Sequence, residues 1–164
     1  MAVEEKSINY DKALKYVFWL FEKRDYSEKE IRDKLGRNYA CSVIEQVIEK
    51  LISTKLLDDE KFAGQWADYR LRQNKSKNFI LRELIHKGIK RDFALETLDS
   101  FSVNEVQLAL NAIKSKINKY SKLEPIKAKN KIFQFLSRKG FGYDVIDEVV
   151  KKVIKKEEII DFLD

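Results

Sequence analysis

The sequence predicts an all-α chain of three tandem three-helix repeats, about nine helices in an elongated, curved, right-handed or solenoid-like array. Three observations carry that expectation. Only one Pro and five Gly punctuate 164 residues, too few for the many tight turns of a sheet protein. Apolar residues recur at three and four residues almost throughout, and no segment alternates with period two. A short motif also returns three times. Ile31–Leu35 is followed by Gly36, Ile80–Leu84 by Lys87-Gly88-Ile89, and Ile132–Leu136 by Lys139-Gly140-Phe141. Self-similarity at about fifty residues marks a repeat architecture.

Each repeat reads as a helix, a short helix, a turn and a third helix. The first holds helices near 11–24, with Leu14, Val17, Phe18 and Phe21 in a stripe, then 27–36 around Ile31 and Leu35, then 41–54 around Val43, Ile44, Val47, Ile48 and Leu51. The second holds 59–74, 77–87 and 91–100, and the third 103–120, 125–139 and 143–158. Ser27 with Glu30, Ser42 with Glu45, and Ser102 with Glu105 have the spacing of capping boxes. Pro125 suits the first turn of a helix, where its missing N–H costs nothing. Gly88 and Gly140 stand where a left-handed residue closes a helix, with Gly36 at the matching place in the first repeat. Trp19, Phe18, Phe21, Phe133 and Phe135 fall on helical stripes and are assigned to the core, as is Trp66. The resulting division is a tail at 1–10, repeats at 11–57, 58–101 and 102–158, and a tail at 159–164. In that last segment Ile159, Ile160, Phe162 and Leu163 either cap the third repeat or fray.

Composition removes several function classes. The single cysteine, Cys41, excludes an intramolecular disulfide framework and a Cys-based zinc module. No stretch approaches 18 uncharged apolar residues, so no membrane-spanning helix is expected, and Met1–Tyr10 lacks the apolar core of a signal peptide. Neither GxxxxGK[ST] nor GxGxxG occurs, and His86 is the sole histidine, so phosphate loops and multi-histidine metal sites are absent from the sequence. Cys41 and His86 could in principle act as nucleophile and base. A small apolar residue at a helix start and a favourable helix-terminus contact explain them more simply. Asp58, Asp59 and Glu60 could hold Mg²⁺, but they precede a helix, where carboxylates cap free N–H groups. No catalytic residue, metal or cofactor is therefore expected, and the chain reads as a binding protein.

The charge is uneven. The net charge is +6, yet residues 11–60 carry ten basic and eleven acidic side chains. Residues 69–91 hold eight basic side chains and one acid, Glu83. Such a run raises the local concentration of polyanions. Its candidates for contact are Tyr69, Arg70, Arg72, Lys75, Lys77, Arg82, Lys87, Lys90 and Arg91. The scattered lysines Lys151, Lys152, Lys155 and Lys156 read as solvated surface.

The run Leu56-Leu57-Asp58-Asp59-Glu60-Lys61-Phe62-Ala63, then Arg70, Ile80, Glu83-Leu84 and Lys87-Gly88-Ile89, closely resembles the central pattern of the RecX family, bacterial regulators of the RecA recombinase. Ala13-Leu14, Tyr26-Ser27, Glu30-Ile31 and Lys34-Leu35 extend the resemblance to about residues 11–155. Where that family has a Gly-x-Gly-Pro-like stretch, this chain has Asn74-Lys75-Ser76-Lys77, residues that still suit a turn and a helix cap. The resemblance implies a monomeric, non-enzymatic protein of the bacterial cytoplasm. It would bind RecA and its single-stranded DNA filament, with weak direct DNA binding and no membrane contact. On that basis Leu57, Asp58, Asp59, Phe62, Ala63, Leu84, Gly88 and Ile89 are structural, with Asp58, Asp59, Phe62 and Ala63 holding the first two repeats together. The alternative is a DNA- or RNA-binding protein without a RecA partner, reading bases with each repeat's third helix. Glu45, Glu49, Glu96 and Asp99 on those helices argue against it. A plain helical scaffold is the remaining class.

Overall fold

The computed structural model describes residues 6–155, so Ile159, Ile160, Phe162 and Leu163 lie outside the described residues. Those residues hold nine α-helices: α1 Tyr10–Phe21, α2 Glu28–Leu35, α3 Cys41–Ser53, α4 Asp59–Arg72, α5 Lys77–His86, α6 Arg91–Asp99, α7 Glu105–Tyr120, α8 Pro125–Arg138 and α9 Tyr143–Lys155. The fold is an all-α tandem repeat. A lone parallel bridge between Ser7 and Tyr39 is the one β pairing among the described residues.

The chain divides into two compact units. The first runs to Gln65 and includes Leu84–Ala94; the second is Trp66–Glu83 with the chain from Leu95 onward. In the first unit α1 buries Ala13, Val17 and Leu20, and α2 buries Ile31 and Leu35. α3 adds Val43, Ile44, Val47, Ile48 and Leu51. In the second unit α7 buries Leu108, Ala109, Leu110, Ile113, Ile117 and Tyr120, and α8 buries Ala128, Ile132 and Leu136. These are the i, i+3, i+4 stripes that make an amphipathic helix bury one face.

Several local expectations are corrected. Ser27 and Glu30 form the full capping box. The other two do not form. α3 starts at Cys41 after Ala40, without a side-chain cap, so Ser42 is already inside the helix and Glu45 pairs with Arg32 instead. α7 is capped by Asn104, whose side chain accepts from the Gln107 N–H. Phe18, Trp19 and Phe133 are exposed rather than core. On α1 the buried stripe is carried by Ala13, Val17 and Leu20, which leaves Trp19 off that face. Gly36 is right-handed, with φ −57°, and is no counterpart of Gly88 and Gly140, which have φ 93° and 88°.

Each unit contains one copy of the same joint, built around the buried N-terminus of a short helix. In the first unit Ser27 caps α2. Its Oγ accepts from the Glu30 N–H and donates to the Lys87 carbonyl at 2.6 Å. The next free N–H of α2, that of Glu28, donates to the Asp59 carboxylate at 2.8 Å. In the second unit Ser76 caps α5 by accepting from the Phe79 N–H, and its own N–H donates to the Lys139 carbonyl. The following N–H, of Lys77, donates to the Glu105 carboxylate at 2.8 Å. Ser27 and Ser76 are the two fully buried polar side chains among the described residues. Burial of these helix starts is tolerable because the N–H groups of Ser27, Glu28 and Glu30, and of Ser76, Lys77 and Phe79, all have acceptors.

The Lys-Gly turns supply the other half of each joint. After α5 the Gly88 N–H donates to the Ile85 carbonyl and the Ile89 N–H to that of Leu84. After α8 Gly140 and Phe141 do the same with Ser137 and Leu136. This paired closure leaves the lysine carbonyl free for the serine. It also needs a left-handed glycine, and the space beside each glycine is filled. A Cβ on Gly88 would lie 2.5 Å from Lys29 Cβ, and one on Gly140 would lie 2.6 Å from Ser76 Oγ and 2.7 Å from Phe79 Cβ.

Two alanine substitutions should therefore act in opposite directions. Gly140→Ala meets both a left-handed backbone and an occupied space, and should destabilise by more than about 1 kcal/mol. Gly64→Ala sits inside α4 with nothing within 4 Å of the added Cβ, and should stabilise by about 0.5–1 kcal/mol. Paired thermal melts read both, and equal effects of one sign would contradict the joint.

Candidate partner-binding surface

The first-unit joint is made largely of the residues that the resemblance marked as structural. Leu57, Phe62, Ala63, Leu84 and Ile89 are buried. Asp58 Oδ1 accepts from the Glu60 and Lys61 N–H groups and so caps α4. Asp59 accepts from Glu28. These contacts give both carboxylates capping duties, and no group of three or more metal-ligating side chains exists among the described residues. Burial, then the charges of Glu28, Asp58 and Glu30, push the Asp59 carboxyl up against the pull of the Glu28 N–H.

Glu30 is the hub of this joint. Its carboxylate receives Arg24 at 2.9 Å, Lys87 Nζ at 2.7 Å and the Ser27 N–H. Burial pushes its carboxyl up, but the hydrogen bonds from Arg24, Lys87 and Ser27 and the charge of Lys87 outweigh it and hold it at about 2. Lys87 also lies over the Phe62 ring at 5.5 Å. Lys87 is thus engaged inside the first unit. Lys90 and Arg91 of the same unit are exposed at the start of α6.

In the second unit the candidates separate in the same way. Arg70 forms a two-pronged ion pair with Glu83, donates to Gln73 at 2.9 Å, and lies 4.7 Å from the centre of the Trp66 ring. Trp66 Nε1 donates to the same Glu83 at 3.1 Å. The side chains of Arg70 and Glu83 are only 22% and 21% exposed. Trp66 is half-buried in this network rather than packed in a core. Tyr69 beside it is 52% exposed. Arg72 extends into solvent, pairing with Asp68 at 2.9 Å. Arg82 Nε donates to the Asn78 carbonyl and its side chain is exposed. Lys75 Nζ lies 4.1 Å from the centre of the Phe79 ring. Asn74 takes the left-handed conformation, φ 55°, and Ser76 caps α5, so this stretch performs a turn and a cap without glycine or proline.

Position argues that some of these cations are not there for stability. Lys77 is the first residue of α5, and Lys90 and Arg91 flank the start of α6. The positive end of a helix disfavours cations by about 0.3–1 kcal/mol.

Three family models match the chain in tandem: RecX, first three-helix domain, over residues 10–51; RecX, second three-helix domain, over 58–98; and RecX, third three-helix domain, over 104–150. A regulatory protein RecX of Clostridium botulinum (strain Eklund 17B / Type B) is 36% identical over 135 residues, covering 80% of this chain and 63% of that protein. One of Clostridioides difficile (strain 630) is 32% identical over 151 residues, covering 91% and 71%. The chain thus spans about two thirds of the length of these curated relatives. The crystal structure of RecX from Lactobacillus salivarius aligns with a TM-score of 0.69 at 28% identity, over 88% of this chain and 93% of that one. No helix among the described residues is long and apolar enough to cross a membrane.

Glu30→Gln tests the hub. With its carboxyl held at about 2 in the fold against an ordinary 4.5, Glu30 contributes stability in full above about pH 4.5, and loses it as pH falls toward 2. The variant should melt lower at pH 7, and its stability should depend less on pH between those limits. Parallel slopes for variant and parent would contradict the network.

Proposed function

The chain belongs to the RecX family, and from that membership we propose that it regulates the RecA recombinase. It binds the filament of RecA on single-stranded DNA and restrains strand exchange, ATP hydrolysis and the coprotease activity that feeds the SOS response. It does so without chemistry of its own, in the bacterial cytoplasm, and as a monomer. Family membership is the observation that carries this reading. The tandem repeats supply a surface distributed over several helices, which can engage more than one filament subunit without a deep pocket.

The side chains free to serve contact are a subset of the basic run. In the second unit they are Tyr69, Arg72, Lys75, Lys77 and Arg82; in the first they are Lys90 and Arg91. Arg70 and Lys87 are committed to Glu83 and Glu30 and support the fold that presents the others.

Adding the protein to RecA on single-stranded DNA should suppress ATP hydrolysis and strand exchange. No filament binding at low salt would sink the reading. Replacing Arg72, Lys77 and Arg82 together by Ala should weaken inhibition about tenfold with an unchanged helical CD spectrum. Arg70→Ala, which leaves the largely buried Glu83 carboxylate with Trp66 Nε1 but without its cation, should instead cost about 2 kcal/mol of stability. Full inhibition by the triple variant would remove those cations from the contact set.

A further inference from the structure

In the second and third repeats, two distant parts of the repeat are tied together by the helix start of the repeat before. The start of the first helix supplies a carboxylate, Asp59 or Glu105, and the turn after the second helix supplies a carbonyl, Lys87 or Lys139. The first repeat has no helix before α1 among the described residues. Its turn nevertheless has a partner. Asn38, Lys87 and Lys139 each stand three residues after a motif leucine, Leu35, Leu84 and Leu136. The Lys139 carbonyl accepts from the Ser76 N–H at 3.2 Å, and the Asn38 carbonyl accepts from the Ser7 N–H at 2.9 Å. Ser7 thus sits where a preceding repeat would place its serine.

The first repeat needs that partner because it lacks the glycine. Tyr39 occupies the place of Gly88 and Gly140 and is not left-handed, a conformation that a bulky side chain resists. The next residue shows the consequence. Ile89 and Phe141 donate their N–H groups back to Leu84 and Leu136, whereas Ala40 donates to the Ser7 carbonyl at 3.0 Å. Lys6 Nζ adds a bond to the Gly36 carbonyl at 2.6 Å. Asn9 caps α1 by accepting from the Lys12 N–H, and its own N–H donates to Ser7 Oγ. Residues 6–9 therefore link the start of α1 to the turn between α2 and α3. None of the four is buried, and Ile8 is 80% exposed, so hydrogen bonds rather than apolar packing hold them.

We propose that residues 6–9 are a releasable strap that takes the place of a preceding repeat, closing the first repeat where Tyr39 prevents a glycine closure. Its release frees the Asn38 carbonyl and the Ala40 N–H together and unties the start of α1, while the core of Val17, Ile31 and Leu51 stays packed. Segments held by solvent-exposed hydrogen bonds with little apolar burial open at the low end of the stability range. The strap acts within the first repeat and does not depend on the RecA reading.

Amide exchange followed by NMR on the full chain tests this. In the parent protein the Ser7 and Ala40 amides should exchange together, and about tenfold faster than that of Val17. Ser7→Pro removes the N–H that Asn38 takes and should speed exchange at Ala40 by about tenfold, the loss of one hydrogen bond, while Ile89 and Phe141 keep their rates. Ser7→Ala keeps that N–H and should leave Ala40 as in the parent. Adding Tyr39→Gly to Ser7→Pro lets Ala40 donate to the Leu35 carbonyl and should restore its protection. Tyr39 packs against the core of the first unit, so if the double variant does not fold, the contrast of Ser7→Pro with Ser7→Ala carries the test. Ala40 exchange that is unchanged by Ser7→Pro, or equally accelerated by Ser7→Ala, overturns the proposal. So does a loss of protection that spreads to Ile89 and Phe141, a folded double variant whose Ala40 stays unprotected, or a parent Ala40 as slow as Val17.

Discussion

A helix that begins inside a protein must find partners for its first backbone N–H groups, and much of this structure follows from that requirement. α2 and α5 are short and their starts are buried. Ser27 and Ser76 answer for one N–H each, and Asp59 and Glu105 answer for the next. The donors and the acceptors lie in successive repeats, so satisfying a helix start also fixes the next repeat against it. A missing partner would leave a buried polar group without a bond, at about 1–3 kcal/mol. The glycines follow from the same requirement, since only the closure they permit frees the lysine carbonyls of Lys87 and Lys139 for the serines.

The same geometry sorts the cations. A charge count treats Arg70, Arg72, Lys75 and Lys87 alike. The structure spends Lys87 on Glu30 and Arg70 on Glu83, and both pairs are largely withdrawn from water. Exposed pairs such as Arg72 with Asp68 are worth about 0–1 kcal/mol and break readily when a stronger anion arrives. Availability for a partner is thus decided by what each cation already holds.

The helices were legible because their signals are local and repeated. Apolar spacing, Ser27 with Glu30, and Pro125 all act within a few residues. The errors have one source: a local pattern cannot say which of several similar residues the tertiary structure will use. Ser42 and Ser102 have the spacing of Ser27, yet Asn104 takes the cap in one place and no side chain does in the other. Trp19 lies near an apolar stripe, yet Ala13, Val17 and Leu20 fill the interior and leave it 51% exposed, stacked on Tyr16. The joint itself was half visible. Ser27 and Ser76 each stand four residues before the motif isoleucine, and Asp59 and Glu105 each open a first helix. What sequence could not give was that these pairs meet across about thirty residues.

The third repeat completes the argument by its difference. Four residues before Ile132, where the other repeats have a capping serine, stands Ala128. It is already inside α8, which Pro125 starts almost a turn earlier. Its N–H donates to the Glu124 carbonyl at 2.9 Å within the helix's own ladder. α8 therefore has at that position neither a capping hydroxyl nor the orphan N–H groups that α2 and α5 direct at Asp59 and Glu105. The start of α8 at Glu124 and Pro125 is exposed, so its first N–H groups are left to water rather than to a buried joint.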